Sequence, residues 1–145
     1  MAVPPSNFSW VTENIAGSGY PWEKSNLEFL VDKTEISVII NLSGKHYEEI
    51  PGLKIIEIPI PDFGLPSKNQ VLTIMRTIEN HSNQGNKLLI HCIAGCGRTG
   101  MILALWIAYT SPDKERGKIL QELRQLRSCS FDTEEQVQFF NTFRF

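Results

Sequence analysis

Lys87-Leu-Leu-Ile-His91-Cys92-Ile-Ala-Gly95-Cys-Gly97-Arg98-Thr99-Gly100-Met-Ile-Leu-Ala104 decides how this chain is read. An apolar run ends in a cysteine, a glycine-rich turn follows, and an arginine and a threonine open a second apolar stretch. The pattern predicts a strand, a tight turn and a helix in that order. Backbone N–H groups of such a turn converge on an anion, and the helix N-terminus behind them adds a partial positive charge. Gly95 and Gly97 allow backbone angles that other residues resist. Arg98 offers a planar fork to two phosphate oxygens, a geometry lysine cannot reproduce. The same positive field favours the thiolate form of Cys92. Ile93, Ala94, Gly95, Cys96, Gly97 and Arg98 are therefore expected to cradle a phosphate against a Cys92 nucleophile.

A cysteine followed by five residues and an arginine arises by chance in about one chain of this length in three. The full His-Cys-x-x-Gly-x-Gly-Arg-Thr-Gly string has a chance rate on the order of one in ten million. That weighs against Cys92 being an ordinary buried strand cysteine. Gly95–Gly100 also spells G-x-G-x-x-G, the dinucleotide-binding fingerprint, which needs a second strand with an acidic end roughly 20 residues on. Here the expected helix runs to about Tyr109. Ser111-Pro112-Asp113 then opens another helix, Lys114 to Arg127, with no strand between. A bulky Arg98 also stands where a pyrophosphate needs close backbone approach, so the nicotinamide reading is excluded.

The 145 residues are expected to form one domain, 1–145, and the net charge of −2 gives no case for nucleic acid or membrane binding. Met1-Ala-Val-Pro-Pro-Ser-Asn lacks the basic start and apolar core of a signal peptide. The longest apolar run, Met101 to Tyr109, is about half a membrane span, and Phe143-Arg-Phe145 carries no prenylation box. Three cysteines, an odd number, point to a reducing compartment, the cytoplasm or the nucleus.

Along the chain, Phe8 to Ala16 reads as a first strand and Trp22 to Thr34 as a helix. Ser37–Leu42 and Lys54–Ile60 read as strands joined by the polar loop Ser43–Gly52. Ser67 with Gln70 is a capping box opening a helix to about His81. The strand Lys87–Cys92 and helices from Arg98, Asp113 and Thr133 complete the order. Strands alternating with helices predict an α/β fold: a mostly parallel sheet of four to five strands flanked by helices.

A thiolate that displaces an alkoxide or phenoxide from phosphorus needs a proton donor. Asp62, in Pro59-Ile-Pro-Asp62-Phe-Gly-Leu-Pro66, follows a predicted strand and should reach the same sheet edge as the phosphate loop. Its alternative is a plain turn aspartate. The kinase Asp-Phe-Gly reading lacks every companion motif. His91 should point back into the domain and brace the loop. Three cysteines and His91 do not make a zinc site, because His91 and Cys92 are adjacent with diverging side chains; the reaction is expected to need no metal or cofactor.

The phosphate loop resembles the signature of the cysteine-dependent protein tyrosine phosphatase superfamily. Phe8-Ser-Trp10, Ile15-Ala-Gly17, Pro61-Asp-Phe63, Arg124-Gln-Leu-Arg127 and Thr133-Glu-Glu-Gln136 extend the likeness to a small atypical dual-specificity phosphatase, VHZ-like, with archaeal relatives. The resemblance implies the phosphatase fold and hydrolysis of phosphotyrosine, with phosphoserine and phosphothreonine as further substrates, through a phosphocysteine. A monomer acting on a phosphorylated protein is expected. Asp62, thirty residues before Cys92, matches the family's general acid. Thr99 matches the residue that hydrogen-bonds the departing sulfur. Gln136 aligns with a glutamine that orients water, its alternative being a solvated helix residue. Arg127-Ser128-Cys129 departs from the family's Arg-Pro-Gly, and Glu134 from its tyrosine.

Cys96 is either a small residue contributing only its backbone N–H or a redox partner that would pair with Cys92. Arg124 and Arg127 are either a second phosphate site or a solvated helix face. Other expectations are an RNA 5′-end, phosphoinositide or sugar phosphatase, and a silent phosphate-binding module. Phosphoinositide enzymes place lysines in the loop, which this one lacks, and silent modules lose the cysteine, the arginine or the acid, all present here.

Overall fold

Apolar runs without polar alternation belong in the middle of a parallel sheet covered on both faces, and Ser37–Leu42 and Lys87–Cys92 fall there. The computed structural model describes residues 1–62 and 64–145. Its elements are β1 (Ser9–Trp10), β2 (Ile15–Ser18), α1 (Lys24–Asp32), β3 (Ile36–Asn41), β4 (Lys54–Glu57), α2 (Lys68–Asn83), β5 (Lys87–His91), α3 (Gly97–Thr110), α4 (Arg116–Leu126) and α5 (Glu134–Thr142). One five-stranded sheet has the order β1-β2-β5-β3-β4. Only the β1–β2 pair is antiparallel. The expected mostly parallel α/β architecture is the one observed.

Side-chain alternation along the central strands sorts the core into two layers. Val38, Ile40, Leu88 and Ile90 join the cluster built on α2–α5, whereas Ile39 and Leu89 meet Leu30 of α1. Helix α3 is the central helix: eleven of its fourteen residues are buried, as its nearly all-apolar sequence requires. No helix among the described residues is long and apolar enough to cross a membrane.

Three boundaries differ from expectation, each for a local reason. The single strand expected over Phe8–Ala16 is a hairpin, because Thr12 Oγ1 accepts hydrogen bonds from the N–H groups of Asn14 (3.2 Å) and Ile15 (3.0 Å) and turns the chain back. Helix α4 begins at Arg116 because Ser111–Lys114 forms a turn, with Lys114 N donating to Ser111 O at 3.0 Å. Strand β4 ends at Glu57, yet the N–H groups of Ile58 and Ile60 still donate to Asn41 O and Leu42 O at 3.0 Å. This irregular extension delivers Pro61–Asp62 to the edge where β5 ends.

Ser67 caps α2 as predicted: its side chain accepts from Gln70 N while the Gln70 side chain accepts from Ser67 N. Gln70 Nε2 also donates to Pro59 O at 3.0 Å, tying the helix start to the segment before Asp62. Phe63, the neighbour of Asp62 in the expected acid loop, lies outside the described residues.

Candidate active site

The parallel strands β2, β5, β3 and β4 all finish at one sheet edge, with Ser18 and Asn41 both registered against His91. Cys92 follows at once and is 3% exposed. Its Sγ accepts a hydrogen bond from Thr99 Oγ1 at 3.0 Å and from Gly95 N at 3.3 Å. Thr99 comes from the first turn of α3, so strand, turn and helix close on the sulfur as the sequence requires.

The loop is held from outside by its carbonyls. Ile93 O accepts from Tyr20 N at 2.9 Å, and Ala94 O accepts from Asn7 Nδ2 at 2.7 Å. A planar trans peptide points its N–H opposite its C=O. Tying these carbonyls outward therefore turns the Ala94 and Gly95 N–H groups into the cradle. Gly95 has φ +83°, and a Cβ there would lie 2.5 Å from Gly19 N and 2.6 Å from Ser18 C. Conformation and close approach both demand glycine.

Arg98, 3% exposed, spans the cleft. Its Nη1 donates to Ile60 O at 2.8 Å and Leu42 O at 3.5 Å. Its Nη2 lies 3.3 Å from Asp62 Oδ1, whose side chain is 57% exposed. The structure thus brings Cys92, Arg98, Thr99 and Asp62 to one place. Arg98 and Asp62 line a cleft of about 890 Å³ whose walls include Pro59, Ile60, Pro61, Leu65 and Pro66.

His91 is fully buried. Its Nδ1 is 3.1 Å from Cys92 O and its Nε2 is 3.0 Å from Tyr47 Oη. A carbonyl can only accept, so Nδ1 carries the proton and Nε2 accepts from the phenol. Burial pushes the imidazole down to about 4, opposed in part by the bond to Cys92 O. It is neutral at pH 7 and braces the loop from behind. Burial is also the first cause raising the Tyr47 phenol well above its usual range, followed by the charges of Tyr20 and Glu57.

The α4–α5 connection closes the other side. Gln136 is completely buried, so the solvated-helix alternative does not hold. Its Oε1 accepts from Asp132 N at 2.8 Å and Thr133 N at 3.3 Å, and its Nε2 has no partner among the described residues. Asp132 was not singled out in the sequence, yet its carboxylate packs directly against Gly97, where any added Cβ would collide with it. Its carboxyl is raised above the usual aspartate value, first by burial and then by the charge of Asp62, with Arg98 opposing. Its signal in the sequence was its place just before the Thr133 cap.

Two expectations about neighbouring residues need correction. Cys96 pairs with Cys129 in a disulfide, not with Cys92, and is more than a backbone contributor; Cys92 is the free cysteine. Phe131 N also donates to Cys96 O at 3.0 Å, so the phosphate loop is stapled to the α4–α5 connection. With two cysteines paired, the odd cysteine count ceases to argue for a reducing compartment. Arg127 is neither a second phosphate site nor a solvated residue. It is 4% exposed, and it donates from Nε to Ser9 Oγ and from Nη2 to Asn7 O, both at 2.8 Å. Burial lowers its pKa while the charge of Cys92 raises it. Arg124 Nε is taken by Ser130 O at 3.2 Å.

A family described as "Polymorphic toxin system, DSP-PTPase phosphatase" matches residues 16–111. The chain belongs to this DSP-PTPase phosphatase family. The matched span contains Asp62, Cys92, Arg98 and Thr99, whereas Asp132 and Gln136 lie beyond it. Among curated relatives, an uncharacterized protein of Methanocaldococcus jannaschii is 31% identical over 83 residues, 57% of this chain and 54% of that one. Cyclin-dependent kinase inhibitor 3 of Sus scrofa is 33% identical over 87 residues, 59% of this chain and 41% of its own. The chain spans about half the length of the curated relatives it matches. The crystal structure of Tk-PTP in its active form superposes with a TM-score of 0.80 at 28% identity, covering 91% of this chain and 92% of that one. DUSP15, at 18% identity and a TM-score of 0.83 over 94% of this chain and 86% of its own, shares the fold.

His91 makes stability depend on pH. Its folded pKa of about 4 lies below the ordinary 6.5, so the unfolded chain takes up the proton first. The neutral ring's contribution is complete above about pH 6.5 and is lost as pH falls toward 4, on the order of 3 kcal/mol in all. Urea denaturation across this range should show the decline, and His91→Asn should flatten it. An equally steep wild-type and variant profile would contradict the assignment. For the cysteines, alkylation of the folded, unreduced protein should label Cys92 alone, with peptide mapping joining Cys96 to Cys129. Labelling of all three would contradict the pairing.

Proposed function

We propose that this chain is a cysteine-dependent protein phosphatase that hydrolyses phosphotyrosine, and by the same route phosphoserine and phosphothreonine, through a phosphocysteine. The observation that carries the reading is a buried free cysteine whose sulfur receives two hydrogen bonds, from Thr99 and Gly95, inside a loop capped by the Arg98 fork.

Arg98 and the inward N–H groups of the loop, Ile93 to Gly97, hold the phosphoryl oxygens and neutralise the charge that builds on them. The Cys92 sulfur attacks phosphorus; an S–P bond forms as the bond from phosphorus to the tyrosine oxygen breaks. Asp62, beside Arg98 on the cleft wall, gives its proton to the leaving oxygen. Water then attacks the phosphocysteine, its proton passing to the Asp62 carboxylate, and the S–P bond breaks with the Thr99 hydroxyl supporting the departing sulfur. The Asp132 carboxylate packs against Gly97 of the loop, and Gln136 Oε1 accepts from Asp132 N; Gln136 is assigned to orienting that water. His91 touches no reacting atom and acts by holding Cys92 in place.

The largely apolar walls of the cleft, three of them prolines, favour an aryl phosphate over an RNA end, and the net charge of −2 offers no track for a polynucleotide. The reading includes a monomer working without a metal, with phosphorylated proteins as its partners.

Turnover of p-nitrophenyl phosphate in EDTA should be measurable for the wild type and absent for Cys92→Ser. Asp62→Ala should lower the rate on an alkyl phosphate by roughly 10²–10⁴-fold, and less on p-nitrophenyl phosphate, whose leaving group needs little help. Full-rate alkyl phosphate hydrolysis by Asp62→Ala would remove it from the mechanism, and wild-type inactivity would favour a phosphate-binding module.

A further inference from the structure

The phosphatase chemistry leaves one wall of the cleft without an assignment. Lys45 lines the same cleft as Asp62, Ile93 and Arg98, and its backbone is fixed with unusual care for a loop residue. Lys45 O accepts from Asn41 Nδ2 at 2.8 Å and from Tyr20 Oη at 3.3 Å. Lys45 N donates to Ser43 Oγ at 3.0 Å, and Asn41 Oδ1 accepts from both Ser43 N (2.9 Å) and Ser43 Oγ (2.6 Å). Asn41 itself is 1% exposed. Gly44, at φ +80°, supplies the turn.

The side chain is placed as well. Lys45 Nζ stands 5.7 Å from the centroid of the Trp22 ring. Trp22 is 59% exposed, so its ring face is open to the Lys45 ammonium. Below it lies Tyr20, with ring centroids 4.4 Å apart, and Tyr20 N donates to Ile93 O of the phosphate loop. A continuous set of contacts thus runs from the phosphate cradle through Tyr20 to Trp22 and Lys45. Among the described residues no carboxylate forms an ion pair with Lys45.

We propose that Lys45, steadied on the face of Trp22, is a specificity subsite for an acidic side chain flanking the phosphorylated residue of a peptide substrate. The inference rests on the phosphatase reading and adds the substrate class: acidic phosphotyrosine peptides. The ammonium supplies the charge, and the indole face limits the directions it can take, because a cation over an aromatic ring is attracted to it. Arg98 is committed to the scissile phosphate, so a second anion on the substrate meets Lys45 as the remaining cation of the cleft lining.

The test is kcat/KM on phosphotyrosine peptides identical except for Glu, Gln or Lys at each flanking position, at low and high salt. Wild type should prefer the Glu peptide over the Gln peptide by about 2–5-fold, the size of a single solvent-facing charge pair, and high salt should erase the preference. Lys45→Met should equalise the two peptides, Lys45→Arg should keep the preference, and Trp22→Ala should narrow it. Equal rates on Glu and Gln peptides in the wild type, or a preference that survives Lys45→Met, would overturn the proposal. So would faster hydrolysis of an inositol polyphosphate than of the acidic peptide, because Lys45 would then serve a second phosphate. Wild-type turnover of p-nitrophenyl phosphate, measured in parallel, separates these failures from failure of the phosphatase reading itself.

Discussion

A loop that turns its backbone N–H groups inward must satisfy its carbonyls outward, and in this fold that requirement recruits the surrounding chain. Ile93 O is met by Tyr20 N, Ala94 O by Asn7 and Cys96 O by the N–H groups of Gly100 and Phe131. These partners come from the β2–α1 connection, the N-terminal segment, α3 and the α4–α5 connection. Buried polar groups left unpaired cost about 1–3 kcal/mol each, so the loop and its supports stand or fall together. The glycines follow from the same constraint, since Gly95 and Gly19 lie where backbone meets backbone.

Charge is arranged on that frame with equal economy. Arg98 is buried yet satisfied by strand-end carbonyls and Asp62, which fixes the guanidinium before any substrate arrives. Arg127 sits behind the cradle, anchored to Asn7 and Ser9. His91 remains uncharged because it is dry. The Cys96–Cys129 bridge, 33 residues apart in sequence, removes about 3–4 kcal/mol of unfolded-chain entropy by the loop-closure argument. It fixes the connection that carries Asp132 without consuming the nucleophile.

The sequence made the central features legible because each is local. A strand, a turn and a helix within 18 residues define the phosphate cradle, and Thr99 and Arg98 are placed by being on the first turn of α3. Asp62 was legible because a strand end fixes where the following residue goes. What escaped was set by distant packing. No local pattern tells that Asp132 would abut Gly97, that Cys96 would meet Cys129, or that Arg127 would be buried against the N-terminal segment. The hairpin at Thr12 was missed because a side-chain hydrogen bond to two N–H groups overrode an extended-looking run.

In the proposed mechanism the phosphoryl group passes through the sulfur of Cys92. Rapid acid quench of the enzyme during turnover of a phosphate-labelled phosphotyrosine peptide tests it directly. A phosphocysteine route requires label in the protein, located by peptide mapping on Cys92 and lost in Cys92→Ser. Turnover with no labelled protein at any quench time, or label on another residue, would contradict it.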